Sequence, residues 1–116
     1  MTDQPMEAGL LARGLVISLE SIGRRSGLPR TVTIGFLEQG HDVLLVAASS
    51  DDSHWAANLL ARPACSVVLR HQRRDYLAIR LDDEQRAAAV SGLILKYGAP
   101  AERLGAGPAF RLEPVT

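Results

Sequence analysis

The sequence predicts a mainly β domain: a small, mostly antiparallel barrel of about six strands with two helices packed outside it. Three observations lead there. Short β-branched and apolar segments recur along the chain, joined by short polar or glycine-containing links. Two segments alone combine helical spacing with helix start signals. The resulting order, β-β-β-α-β-β-α-β, lacks the regular strand–helix alternation that a doubly wound parallel sheet requires.

Each element has its own reason. Residues 1–13 read as a short leader with a turn or two of helix around Met6 to Ala12, and residues 14–116 as one domain. Leu15 to Ile22 is β-branched and apolar with partial alternation, which is a strand. Gly23 to Pro29 interrupts it with loop chemistry. Thr31 to Leu37 forms the second strand, with Val32, Ile34 and Phe36 on one face and Thr31, Thr33 and Gly35 on the other. Glu38 to Asp42 is a turn, and Val43 to Ala48 returns as a strand apolar on both faces, hence central. That short link implies an antiparallel hairpin.

A polar loop, Ser49 to Ser53, then leads into a helix that Asp52 or Ser53 is placed to cap and that ends before Pro63. Within it Trp55, Leu59 and Arg62 share a face. Ser66 to Leu69 and Asp75 to Leu81 are two more strands. Asp82 starts a second helix with Gln85 in the capping-box position, and Ala87, Val90, Ile94 and Tyr97 follow helical spacing. Gly98 suits the residue after its end, and Pro100 prevents resumption. A glycine-rich stretch, Leu104 to Pro108, precedes a last strand at Phe110 and Leu112. Closing such a sheet into a barrel removes edges that invite aggregation.

Charge and cysteine usage exclude several function classes. Lys and Arg number 13, Asp and Glu number 13. That balance gives no chain-wide attraction to nucleic acid or anionic membrane, so any anion site is local. The longest apolar run, Val43 to Ala48, is too short to span a bilayer. The N-terminus lacks a secretory pattern. One cysteine, Cys65, excludes an intrachain disulfide, and no Cys/His cluster has zinc spacing, so no metal is expected. These features fit a reducing cytoplasm.

Two segments carry chemistry. In Gly23-Arg24-Arg25-Ser26-Gly27-Leu28-Pro29-Arg30, the glycines allow a tight turn that brings N–H groups near a ligand. Arg24, Arg25 and Arg30 crowd three guanidinium groups, the side chain suited to phosphate and carboxylate, onto one loop. The plain alternative is a solvated basic turn. In Ala48 to Leu59, a strand end, a small-residue loop and a helix start lie in series. Small residues let a flat ring approach the backbone, and the helix start offers free N–H donors. The plain alternative there is a capped helix whose Trp55 packs on the barrel, with His54 a surface residue.

Taken together these segments resemble the deazaflavin (coenzyme F420)-dependent nitroreductase family. Its signature loop reads roughly T-x-G-R-[KR]-S-G-x-P-R, and residues 21–30 read S-I-G-R-R-S-G-L-P-R. Its second signature reads roughly V-V-A-S, a glycine-containing loop, then W-x-x-N-L-x-A-N-P. Val46 to Ser49 read V-A-A-S, and Trp55 to Pro63 read W-A-A-N-L-L-A-R-P. The resemblance covers residues 14–81, more weakly the last strand. Ser50-Asp51-Asp52 stand where the family has glycines, and the second helix carries a single tyrosine, Tyr97.

The resemblance implies a split β-barrel of the FMN-binding-like kind, often a homodimer. It implies that coenzyme F420 sets its phosphate and glutamate tail against Arg24, Arg25 and Arg30, with Ser26 and Gly27 as donors. The ring would lie over Ala47, Ala48, Ser49 and Ser50, beside Trp55 and Asn58. The implied activity is hydride transfer to a small organic acceptor such as a nitroaromatic, a quinone or an enone. No Ser/His/Asp triad or paired carboxylate occurs at usable spacing, which suits an enzyme whose cofactor carries the hydride. Tyr97, His54 and Ser49 are the candidate proton donors. Two alternatives stand beside this reading: an FMN-binding split-barrel oxidoreductase, and a non-enzymatic protein binding a cofactor, lipid or haem-derived ligand.

Overall fold

The structure, a computed structural model, describes residues 9–11, 13–98, 101, 104 and 106–115. Residues 9–11 are helical; the rest of the predicted leader helix, and Pro100, lie outside the described residues. Seven strands and two longer helices follow: β1 Ile17–Ile22, β2 Pro29–Ile34, β3 Leu37–Glu38, β4 Leu44–Ala47, α1 His54–Ala61, β5 Ala64–Leu69, β6 Gln72–Arg80, α2 Asp83–Tyr97 and β7 Ala109–Pro114. The strands form one sheet in the order β2-β1-β5-β6-β7-β4-β3, with every pairing antiparallel.

The mainly antiparallel barrel-like fold is as expected, but two details are corrected. The continuous strand expected from Thr31 to Leu37 is broken at Gly35–Phe36, which adds a seventh strand. The ladder also does not close by hydrogen bonds, since β2 and β3 are its two ends. Those ends are consecutive in the chain, so the Gly35–Phe36 corner itself carries the backbone from one edge of the sheet to the other. A corner residue has no ladder partner, yet a buried backbone group needs one. The Phe36 N–H donates to the Tyr97 hydroxyl at 3.0 Å, and the Phe36 carbonyl accepts from Lys96 Nζ at 2.6 Å. Lys96 Nζ also lies 3.7 Å from the centre of the Phe36 ring, a cation–π arrangement. The end of α2 therefore fastens the seam.

Two apolar clusters flank the sheet. The larger one fills the barrel interior with Ile17, Leu19, Phe36, Leu44, Val46, Leu59, Val67, Phe110 and Leu112. β1 shows why it forms: Ile17, Leu19 and Ser21 point inward while Ser18, Glu20 and Ile22 point out. The smaller cluster lies under α2 and contains Ala47, Leu81, Ala89, Leu93 and Ala109. β4 serves both, Val46 to one and Ala47 to the other, which explains a strand apolar on both faces.

The helices differ in how they start. Asp82 accepts from the Gln85 N–H at 2.7 Å while Gln85 Oε1 accepts from the Asp82 N–H at 3.1 Å, the predicted capping box. The face of α2 that meets the sheet is centred on Ala89 and Leu93, with Val90, Ile94 and Tyr97 half-buried. Ala87, expected on that face, is exposed, because it lies about 200° around the helix from Ala89. At α1 the expected cap is absent. Ser53 occupies the N-cap position without a side-chain hydrogen bond, and no bond from Asp52 replaces it among the described residues. The Ser53 N–H instead closes a turn onto the Ser50 carbonyl at 3.3 Å.

Candidate active site

The basic loop is a hairpin connection. β1 and β2 pair to their ends at Ile22 and Pro29, so residues 23–28 turn the chain. The Gly23 N–H donates to the Leu28 carbonyl and the Gly27 N–H to the Gly23 carbonyl, each at 2.8 Å. Gly27 sits at φ +72, the left-handed region that glycine enters without strain. Ser26 Oγ accepts from the Leu28 N–H at 3.1 Å. The donors expected of Ser26 and Gly27 are thus partly spent inside the loop. The N–H groups of Arg25 and Ser26 have no acceptor among the described residues.

Arg24 is held from α1. The Asn58 Oδ1 accepts from the Arg24 N–H at 3.1 Å and from its Nη1 at 2.9 Å. Asn58 Nδ2 donates to Ser21 Oγ at 3.4 Å, and both side chains are buried, 3% and 1% exposed. His54 also faces Arg24: its carbonyl lies 3.5 Å from Nη1 and its Nδ1 3.5 Å from Nη2. These groups border a cavity of about 600 Å³ lined by Arg24, Arg25, Ser26, Arg30, His54, Trp55 and Asn58. The five ion pairs among the described residues join Arg70, Arg73, Arg74, Arg86 and Arg111 to carboxylates elsewhere. None of the three loop arginines is neutralised by one.

A second cavity, about 300 Å³, shares Trp55 with the first and is mainly apolar. Val16, Ile34, Gly35, Ala47, Ala48, Ser49, Leu93, Tyr97 and Leu104 line it along with Trp55. Trp55 belongs to both cavities and rests against Phe110, their ring centres 6.0 Å apart. Ala47, Ala48 and Ser49, which the sequence offers as the floor for a ring, all border this apolar cavity. Ser50 lines neither cavity. A Cβ on Gly107 would fall 2.3 Å from its carbonyl oxygen, so the two loops are in backbone contact. Asp51 and Asp52 are exposed and also line neither.

The three proton-donor candidates separate. Ser49 and Tyr97 border the apolar cavity, His54 the basic one. The Tyr97 hydroxyl donates to the Leu15 carbonyl at 2.8 Å while accepting from Phe36, so its proton is engaged. Sequence reasoning missed the walls that Val16, Ile34, Gly35, Leu93 and Leu104 supply, because these come from distant segments with no shared motif. Cys65 lies outside both cavities. Burial, and secondarily the Asp75 charge, push its thiol up to about 12, so it is no nucleophile. Among the described residues no group of His, Cys, Asp and Glu can hold a metal ion, and no helix is long and apolar enough to cross a membrane.

One cavity thus offers cations without ion-pair partners among the described residues, suited to an anionic group, and the other small apolar walls. Comparison with known proteins points the same way. The model of the F420H(2)-dependent quinone reductase family matches residues 3–101. A solved F420-H2 dependent reductase superposes with a TM-score of 0.69 at 23% identity, covering 85% of this chain and 94% of that one. A domain-swapped dimer superposes at 0.68 and 22% identity, covering 97% and 98%. The haem storage protein HutZ from Vibrio cholerae superposes at 0.70 and 18% identity, covering 97% and 90%. At such identities these structures establish a shared split-barrel fold and leave the ligand to the site.

Proposed function

The chain belongs to the F420H(2)-dependent quinone reductase family, an oxidoreductase family whose cofactor is coenzyme F420, and from that premise we propose that it reduces quinones by hydride transfer within the apolar cavity. The observation that carries this is that a basic cavity and an apolar one share Trp55 in their walls. Arg24, Arg25 and Arg30 would hold the phosphate and glutamate carboxylates of the cofactor, and Ala47, Ala48 and Ser49 would receive its ring. An FMN phosphate alone gives less reason for three guanidinium groups without ion-pair partners among the described residues. Residues 14–116 act on this reading as one cofactor-binding unit.

Bound in its reduced form, the cofactor supplies a hydride. A quinone that takes a hydride needs one further proton to become a hydroquinone. Among the described lining residues, no carboxylic acid or histidine reaches the apolar cavity, and the Tyr97 proton is engaged. This supports an acceptor whose reduced anion takes its proton from water near the exposed Ser49. Nitroaromatic and enone acceptors come second, since their reduction gains more from a placed acid. The protein's part is to orient the two reactants and to exclude competing water with Trp55, Leu93 and Leu104.

Side-by-side calorimetric titration with F420 and FMN tests the cofactor assignment, and turnover of reduced F420 with a quinone, a nitroaromatic and an enone tests the acceptor. The reading expects tighter F420 binding and fastest turnover with the quinone. Tighter FMN binding, or preference for another acceptor, would overturn the corresponding part.

A further inference from the structure

We propose that Asn58 is a positioning residue that fixes the Arg24 guanidinium at the basic cavity while leaving its charge unneutralised for the ligand. This rests on the cofactor reading above and assigns a role that neither motif states.

Arg24 leads the basic loop, and nothing in the loop itself fixes its side chain. Asn58 makes the shortest contact that does so, from a neighbouring element, with His54 beside it at 3.5 Å. One carboxamide oxygen accepts from both the backbone N–H of Arg24 and its Nη1, at 3.1 and 2.9 Å. The orientation of that amide is set from behind, where Nδ2 donates to the buried Ser21 Oγ. The chain of contacts Ser21–Asn58–Arg24 thus ties β1, α1 and the loop together, with loop backbone and loop charge placed by the same atom.

The chemistry of the acceptor matters as much as its position. A carboxylate here would hold Arg24 at least as firmly, through a charge-assisted bond. It would also cancel the charge that an incoming phosphate or carboxylate must meet. A carboxamide accepts the same hydrogen bonds without a countercharge. Arg25 and Arg30, exposed and without ion pairs among the described residues, remain free to adapt to the rest of the anion.

The deciding substitution is Asn58→Asp. The shapes match, and the Ser21 hydroxyl can turn to donate to the new carboxylate, so no buried group need go unpaired. The expected result is a thermal midpoint at or above that of the unaltered protein, together with F420 affinity lower by about tenfold or more and a shallower salt dependence. A merely structural asparagine would not move stability and affinity in opposite directions. Affinity and salt dependence unchanged in a folded Asn58→Asp protein would overturn the proposal.

A double-mutant cycle guards against a folding defect. In an Arg24→Ala background the neutral Asn58→Ala should change affinity by less than about twofold, because the guanidinium it positions is gone. Full additivity of the two substitutions would overturn the proposal. Tripolyphosphate serves as a parallel titrant, since it senses the cations and has no ring. If the unaltered protein fails to bind F420 but Asn58→Asp still weakens tripolyphosphate binding, the cofactor reading falls and the positioning role stands. If F420 binds and the substitution does nothing, the reverse holds.

Discussion

A Cβ added to Gly35 would lie 2.9 Å from both Cε2 and Cζ of Tyr97. Gly35 is at the corner where the two ends of the sheet join, and the Tyr97 ring rests on its backbone. From there the hydroxyl reaches Leu15 and Phe36. Gly35→Ala is therefore expected to push the ring away, with an overpacking cost of about 1–3 kcal/mol. Because both residues border the apolar cavity, F420 affinity should fall as well. Chemical denaturation and cofactor titration check the two effects; an unaltered midpoint would show that the ring moves aside freely.

Tyr97→Phe distinguishes a strap from an acid. Removing the hydroxyl takes the acceptor from the Phe36 N–H and a donor from the Leu15 carbonyl. A loss of about 1–3 kcal/mol of stability is expected for unpairing the corner. Turnover should remain within a few-fold, whereas removing a working general acid typically costs about 10²–10⁴ in rate. A large fall in kcat with little change in stability would make Tyr97 the proton donor instead.

The contrast between Asp82 and Ser53 shows what was legible in the sequence. The α2 capping box could be read because both partners lie within four residues of each other and their bonding is local. At α1 the same kind of signal failed, since Ser53 is drawn into a turn with Ser50 and that loop is packed on Gly107. The basic loop and the small-residue strand exit were readable as motifs, and the structure puts Arg24 and Trp55 at the basic cavity and Trp55 and Ala48 at the apolar one. Asn58 was named as a ligand contact, but its bond to Arg24 spans 34 residues and leaves no trace in periodicity. The strand break at Phe36 was hidden for a similar reason. Its apolar alternation is that of a strand, and only the Lys96 and Tyr97 contacts from α2 make the corner affordable.

Cys65 gives the protein an alkaline limit. Its thiol is pushed from 9.0 up to about 12 in the folded state, first by burial and then by Asp75. Between those values the unfolded chain has lost a proton that the folded chain keeps, so stability falls as pH rises. The contribution is complete below about pH 9 and is lost toward pH 12. Tyr76, raised above 10.0 mainly by burial, acts in the same direction. Cys65→Ser or Cys65→Ala should therefore flatten the decline in thermal midpoint above pH 9, on top of a lower midpoint at neutral pH from altered packing. A decline unchanged by substitution would assign the alkaline sensitivity to Tyr76 and other groups. A thiol-specific alkylating reagent should leave the folded protein unmodified at pH 8 and label it once unfolded.

The loop cations make the last prediction quantitative. Arg25 and Arg30 are exposed and free of ion pairs among the described residues, so their attraction to an anionic tail acts partly through solvent and is screened by salt. Arg25→Ala and Arg30→Ala together should weaken F420 binding by about one to two orders of magnitude at low salt and by less at high salt. The fold should survive, because neither side chain makes a hydrogen bond among the described residues. Asp51 and Asp52 provide the control. Both are exposed and outside the two cavities, so Asp51→Asn with Asp52→Asn should strengthen binding by no more than a few-fold. Titrations of the three proteins, unaltered, Arg25→Ala/Arg30→Ala and Asp51→Asn/Asp52→Asn, from low to high ionic strength check all of this at once. A salt dependence that survives the loss of both arginines would show that the anion is held elsewhere, and a large gain from the acid substitutions would show that Asp51 and Asp52 face it.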